Sequence, residues 1–233
     1  MPLRAIFFDA GNTLVRIDYA AIAGALAARG VRTTSEDLMR AEWKARVRLD
    51  ADVFATGEVA STEARATHNR YLAYVLEGVG VTDPALVDAM DEWRRGHNQP
   101  LGLWTAPEPD AAPALRLARE SGLRTGVISN SNGSIKRILT RLGLLPLVDF
   151  ALDSSEEGVE KPQPAIFERA LARAGVTAAE AAYVGDLYSI DVLGARRVGL
   201  RAVLLDPGAC WGGRDCPTAP SVLGAVKGLL ACT

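Results

Sequence analysis

Cysteine is scarce in this chain: three residues in 233, Cys210, Cys216 and Cys232, all gathered toward the C-terminal end. An odd, clustered set of this kind excludes a disulfide framework. The Cys210–Cys216 spacing fits no common zinc pattern, so these read as loop cysteines. An excess of charge of one sign is missing as well. Lys and Arg number 26 against 28 Asp and Glu, a formal net charge of −2. With neither a basic field for nucleic acid nor a polybasic helix for an anionic membrane, the expected partner is a small molecule. Strand-like sequence begins at Leu3 and leaves no room for a basic, apolar targeting peptide, so a cytoplasmic location is expected. Internal repeats and low-complexity tracts are also lacking. What is present is a chain with 48% hydrophobic residues, enough for one large core with a small accessory domain, as a monomer or a homodimer.

The first apolar run, Leu3 to Phe8, stops abruptly at Asp9-Ala10-Gly11-Asn12, residues that favour a turn. A buried strand ending in a polar loop is predicted. From about Ala111 onward the pattern repeats as a helix-like stretch, a Gly, a short β-branched run and then polar residues. Helices are predicted over Ala111–Ser121, Ser134–Leu142, Pro164–Ala174 and about Ile190–Val198, with Pro near a start and Gly just past an end. Strands are predicted over Arg124–Ile128, Ala182–Val184 and Arg201–Leu205. The alternation specifies an α/β fold, a Rossmann-like doubly wound parallel sheet covered on both faces. Ligands of such sheets lie outside the carboxyl ends of the strands, where Asp9, Ser129 and Asp186 fall.

Residues 16–99 read differently, as helices with few strand signals. Segments over Ala20–Arg29, Ser35–Leu49 (amphipathic around Leu38, Trp43 and Val47), Ser61–Leu76 and Pro84–Arg95 carry helical periodicity, the last with Asp83 as N-cap. The expected organisation is a core domain of residues 1–15 and 100–233 and an inserted α-helical cap of residues 16–99. A helical insertion just after a catalytic strand can close over the site and choose the substrate; it can also serve stability alone.

Four short segments stand in order: Phe7-Phe8-Asp9-Ala10-Gly11-Asn12-Thr13-Leu14, Val127-Ile128-Ser129-Asn130, Glu160-Lys161-Pro162, and Val184-Gly185-Asp186 with Asp191. Together they resemble the four motifs of the haloacid dehalogenase-like hydrolase superfamily, in the subgroup with a helical cap inserted after the first motif. The resemblance extends to about Pro207. It implies that Asp9 is a nucleophile forming an aspartyl-phosphate, with Lys161 balancing the charge of Asp9 and the phosphate. It implies that Ser129, helped by the Asn130 amide, binds a phosphate oxygen, and that the Thr13 hydroxyl helps hold the nucleophile loop. It also implies Mg²⁺, held by the Asp9 and Asp186 carboxylates and the Gly11 carbonyl, with Asp191 binding the metal or ordering its waters. The expected activity is that of a Mg²⁺-dependent phosphatase acting on a small phosphorylated metabolite.

One position departs from the usual motif. Phosphatases of this kind carry a second Asp two residues after the nucleophile, as general acid and base; here that residue is Gly11. General acid–base catalysis is typically worth about 10²–10⁴-fold. Three readings remain open: a phosphatase whose leaving group is good or whose proton comes from elsewhere; a metal-independent 2-haloacid dehalogenase, with Arg40 at the distance of a halide-binding Arg; and a phosphonate hydrolase, for which Lys44 is the one Lys in the cap. A catalytically weakened, ligand-binding relative is a fourth. His68 and His97, in or beside the cap, read as packing or surface residues.

Overall fold

In the computed structural model, residues 1–56, 60–99 and 101–232 are described. The chain divides into two compact units, one of residues 1–16 and 107–233 and one of residues 17–106. β2 (Val15–Ile17) and β3 (Trp104–Pro107) pair as a two-stranded ribbon at the points where the chain passes from one unit to the other. Among the described residues, no helix is long and apolar enough to cross a membrane.

The first unit is built on β1 (Ala5–Phe8), β4 (Arg124–Ser129), β5 (Phe150–Asp153), β6 (Ala181–Gly185), β7 (Arg201–Leu205) and the short β8 (Thr218–Ala219). They pair in the order β5-β4-β1-β6-β7-β8, all parallel. Every residue of β1 is buried, because a central parallel strand is covered on both faces and must be apolar throughout. The sheet is covered by α5 (Ala111–Glu120), α6 (Ile135–Arg141), α8 (Pro164–Ala174), α9 (Leu193–Arg197) and α10 (Val222–Ala231), with a one-turn α7 (Ser154–Glu157) after β5. This is the doubly wound α/β fold expected. The chain moves outward from β1 to β4 and β5 on one side, then to β6 and β7 on the other, so strand order reverses at β1. Phe8 lies level with Val127 and Val184, which sets Asp9 between the ends of the two flanking strands.

Two glycines are dictated by close approach. A Cβ on Gly126 would lie 2.4 Å from the Phe150 ring, and one on Gly185 would lie 2.5 Å from the Asp191 carboxyl carbon. Gly185 is therefore the floor against which Asp191 packs. The helix expected from Ile190 is regular over α9 alone; Tyr188–Val192 before it form one wide, π-type turn in which both Asp191 N–H and Val192 N–H point to the Leu187 carbonyl.

The second unit contains α1 (Tyr19–Ala27), α2 (Ser35–Leu49), α3 (Arg65–Gly78) and α4 (Pro84–Gly96). Ile22, Leu26, Leu38, Leu76 and Met90 form its fully buried centre. Two local expectations are corrected. α3 starts at Arg65 rather than Ser61, because the Ser61 hydroxyl accepts the Glu63 N–H and the Ser61 carbonyl accepts the Thr67 hydroxyl, which makes a turn of those residues. On α2, Trp43 and Val47 are half-buried while Glu42, Arg46 and, just past the helix, Asp50 are buried.

Candidate active site

β1, β4 and β6 run side by side and parallel, and the residue following or closing each strand is polar. Asp9 follows β1, Ser129 closes β4 and Asp186 follows β6. All three are nearly buried. The Asp9 N–H is held by the Val184 carbonyl at 2.8 Å, which continues the β1–β6 ladder one residue into the loop. Beyond Asp9 the chain reverses at once. Leu14 N–H and Val15 N–H both donate to the Ala10 carbonyl at 2.9 Å, and Asn12 takes a positive φ of 50°, a conformation that Asn adopts more easily than other side chains. The reversal brings the Asn12 amide to Asp186 Oδ2 at 3.1 Å, joining the first motif to the fourth.

At the centre is the Lys161 ammonium, 3% exposed as a residue, which has three protons and three acceptors. It contacts Asp9 Oδ1, Asp191 Oδ1 at 2.8 Å and the Tyr183 hydroxyl at 3.0 Å. Asp191 is engaged on both oxygens. Oδ1 also accepts from the Tyr183 hydroxyl at 3.0 Å, and Oδ2 accepts the backbone N–H groups of Asp186 at 3.1 Å and Leu187 at 3.0 Å. The wide turn at Tyr188–Val192 produces this, swinging Asp191 back over Gly185. Lys161 is held in turn by Asn130: the Asn130 amide donates to the Lys161 carbonyl at 3.0 Å and accepts the Lys161 N–H at 2.8 Å. The Asn130 side chain thus holds the Lys161 backbone on both sides.

Asp9, Asp186 and Asp191 can each offer a carboxylate oxygen within 4.8 Å of the others, all three buried. Among the described residues, these three carboxylates meet the Lys161 ammonium in a desolvated place, with negative charge in excess. Burial, only partly offset by Lys161, raises the Asp9 carboxyl from 3.8 to about 6. Burial between Asp9 and Asp191 also holds the Tyr183 hydroxyl well above the ordinary phenol range. A hard divalent cation suits this donor set, because it takes oxygen ligands and would neutralise the excess.

Of the remaining expected residues, Ser129 closes β4, and Gly11 and Thr13 lie in the turn after Asp9. Ser129 is 5% exposed, and its hydroxyl makes only a long 3.4 Å contact to the Asn130 carbonyl. Thr13 is fully buried, yet its hydroxyl has no hydrogen-bond partner among the described residues. It does not tie the nucleophile loop as expected; the backbone turn does. A buried hydroxyl without a partner is a donor waiting for one. Gly11 sits in the turn, bridged to Val15.

Two contributors were missed in the sequence. Tyr183, inside an apolar strand, reads as core, and nothing local marks its hydroxyl as part of a charge cluster. Asp153 is the second: its carboxylate accepts the N–H groups of Gly133 and Ser155 at 3.0 Å and Ile135 at 3.3 Å, fixing the loop that follows Ser129. The Asp-Ser-Ser-Glu-Glu run after a short apolar segment is an N-cap signature that points to it. Arg40 is exposed on α2 and paired with Glu36; Lys44 is exposed, His68 stands 3.7 Å from Glu63, and His97 stacks on Trp93 at 4.8 Å.

Residues 3–199 match the haloacid dehalogenase-like hydrolase family, and the chain belongs to that family. It is 34% identical to haloacid dehalogenase-like hydrolase domain-containing protein 3 of Danio rerio over 68% of this chain and 60% of that protein. It is 36% identical to ribulose-1,5-bisphosphate 5-phosphatase of Halopiger xanaduensis over 61% of this chain and 60% of that protein. The match thus spans about three fifths of those relatives' own lengths. The crystal structure of 2-haloacid dehalogenase from Pseudomonas syringae pv. Tomato DC3000 superposes with a TM-score of 0.56 at 28% identity, covering 99% of both chains.

Proposed function

We propose that this hydrolase is a Mg²⁺-dependent phosphatase of small phosphorylated metabolites that works through an aspartyl-phosphate on Asp9. The observation that carries this reading is the cluster of three buried carboxylates around a single Lys at the switch point of the sheet. The likeness to a sugar-bisphosphate phosphatase supports it. Asp9 is the carboxylate that faces substrate, because Asp191 already has donors on both oxygens. Asp9 and Asp186, with the Gly11 carbonyl, would hold Mg²⁺ directly, and Asp191 would fix Lys161 and the fourth-motif backbone. A Mg²⁺ held there would supply positive charge against the anionic nucleophile and substrate. Lys161 lowers the repulsion between an anionic nucleophile and an anionic substrate. The Ser129 and Thr13 hydroxyls are the donors available to phosphate oxygens.

Gly11, together with the likeness to a 2-haloacid dehalogenase, favours a second reading, since a halide leaves without a proton. Asp186 stands against it: an extra carboxylate without a metal adds repulsion against an anionic nucleophile and a 2-haloacid carboxylate. Purified protein assayed with p-nitrophenyl phosphate and with 2-chloropropionate, each with Mg²⁺ and with EDTA, separates the two. Phosphate release that EDTA abolishes is expected. Chloride release insensitive to EDTA, without phosphate release, would replace the phosphatase reading with the dehalogenase one.

A further inference from the structure

Breaking a P–O bond sends the electron pair to the departing oxygen. An ordinary alkoxide cannot accept that pair without a proton, whereas a carboxylate can. Among the described residues of the α/β unit, the side chains around Asp9 place no acid at a leaving group, the Ser129 and Thr13 hydroxyls being the donors left for phosphate oxygens. Ala10 and Gly11 have no polar side chain, and the Asn12 amide is turned to Asp186. All three protons of the Lys161 ammonium have acceptors on Asp9, Asp191 and Tyr183. Tyr183 is fully buried, and its own hydroxyl reaches Asp191 and the Ile128 carbonyl. Two further strand-end carboxylates are occupied by backbone N–H groups: Asp153 by three, Asp206 by those of Cys210 and Trp211. The two histidines of the chain, His68 and His97, both lie in the helical unit.

The geometry points to an acyl phosphate, a mixed carboxylic–phosphoric anhydride, as the substrate class this site serves. The assignment rests on the reading of the chain as a phosphoryl hydrolase. In the first step an Asp9 oxygen bonds to phosphorus, and the P–O bond to the acyl group breaks with its electron pair, releasing a carboxylate that needs no proton. In the second, water bonds to phosphorus while the Asp9 oxygen departs, again as a carboxylate. Both protons of the water stay with the phosphate, which leaves as dihydrogen phosphate and passes one to solvent. Neither leaving group needs an acid, so a glycine at position 11 forfeits no proton transfer to a leaving group; the base it would have offered the attacking water is lost for every substrate alike. For an alkyl ester the same glycine forfeits the proton and about 10²–10⁴-fold in rate.

The test is kcat/KM, with Mg²⁺, for acetyl phosphate, a series of aryl phosphates of graded leaving-group pKa, and glycerol 3-phosphate, each corrected for the rate with D9N. Acetyl phosphate is expected to exceed glycerol 3-phosphate by at least about 10²-fold, with the aryl esters falling steeply as leaving-group pKa rises. In G11D the series should flatten, the alkyl ester gaining most. If glycerol 3-phosphate is turned over within tenfold of acetyl phosphate by the unaltered protein, a proton reaches the leaving group from elsewhere and the acyl phosphate assignment falls, while the phosphatase reading stands. If no compound yields phosphate above the D9N rate, and radiolabelled acetyl phosphate leaves no label on Asp9, both fall together.

Discussion

Each unit of the molecule buries a charged cluster, and the two are built differently. In the helical unit, Arg46 Nε donates to Glu42 Oε1 at 2.8 Å and Arg46 Nη2 donates to Glu42 Oε2, a two-point pairing on one helix face. The Tyr19 hydroxyl at 3.2 Å and the Tyr71 hydroxyl also donate to the Glu42 carboxylate. Glu42 and Arg46 match each other charge for charge. The α/β unit instead sets three carboxylates against the single ammonium of Lys161 and leaves the Thr13 hydroxyl buried without a partner among the described residues. Buried charge is tolerated when it is paired and hydrogen-bonded, as Glu42 and Arg46 are. The unbalanced cluster holds an excess of negative charge that a bound cation would relieve, and a buried hydroxyl to which a phosphate oxygen would give an acceptor. Imbalance, more than burial, separates a site from a structural pair.

Asp9→Asn gives the largest effect and tests that contrast on two readouts. Phosphate release should fall by about 10⁴-fold or more, because an amide cannot act as nucleophile, while circular dichroism stays unchanged. Retained turnover would remove Asp9 from the chemistry. Stability should move the opposite way. Asp9 titrates higher in the folded chain than in the unfolded one. As pH rises from about 4 to 6, the unfolded state gives up this proton first, so metal-free stability falls; the penalty, up to about 3 kcal/mol, persists above pH 6. The Asn variant escapes it. In EDTA its melting temperature should exceed that of the unaltered chain at pH 8 and match it at pH 4. A lower melting temperature at pH 8 would show that the cluster is not strained.

Arg46→Ala probes the other cluster. Removing one partner of a buried pair leaves an uncompensated charge and should cost about 3–5 kcal/mol in urea unfolding. Replacing Glu42 and Arg46 together by Met should recover most of that loss, since two apolar side chains of similar volume need no pairing. A double variant as unstable as the single one would mean that Glu42 and Arg46 do more than satisfy each other.

The sequence showed these two regions unequally, for a physical reason. β1, β4, β6 and β7 were legible because buried parallel strands are continuous apolar runs, and each stops at a polar residue. β5 was not: Phe150–Asp153 is four residues long, and its place is set by pairing with β4 and by the Phe150 ring over Gly126. The residues that gather at the centre, Asp9, Lys161, Asp186 and Asp191, were named from the motifs. The contacts that hold them there were not. Asn130 clamps Lys161 through backbone groups, and Tyr183 reaches Lys161 from a strand of core residues; neither relation has a local sequence signal. On α2, periodicity pointed to Trp43 and Val47 because Glu42 and Arg46 look solvated until each is seen to bury the other.

Tyr183→Phe is the mildest break, and it asks whether the site's order depends on more than its charges. The substitution keeps the ring, which meets Phe167 edge-on at 5.3 Å, and removes only the oxygen shared by Lys161 and Asp191. Lys161 then has three protons and two acceptors. The loss should be about 1–3 kcal/mol in stability, the cost of one unsatisfied buried donor. A packing role alone would leave catalysis untouched once the protein is folded. A positioning role predicts a lower kcat at unchanged KM, because Lys161 is less firmly aimed at the charge developing near Asp9, together with weaker Mg²⁺ binding in calorimetry. Unchanged kcat and Mg²⁺ affinity in a fully folded variant would reduce Tyr183 to core packing, and the ordering of the cluster would then rest on Asn130 and the backbone around Asp191.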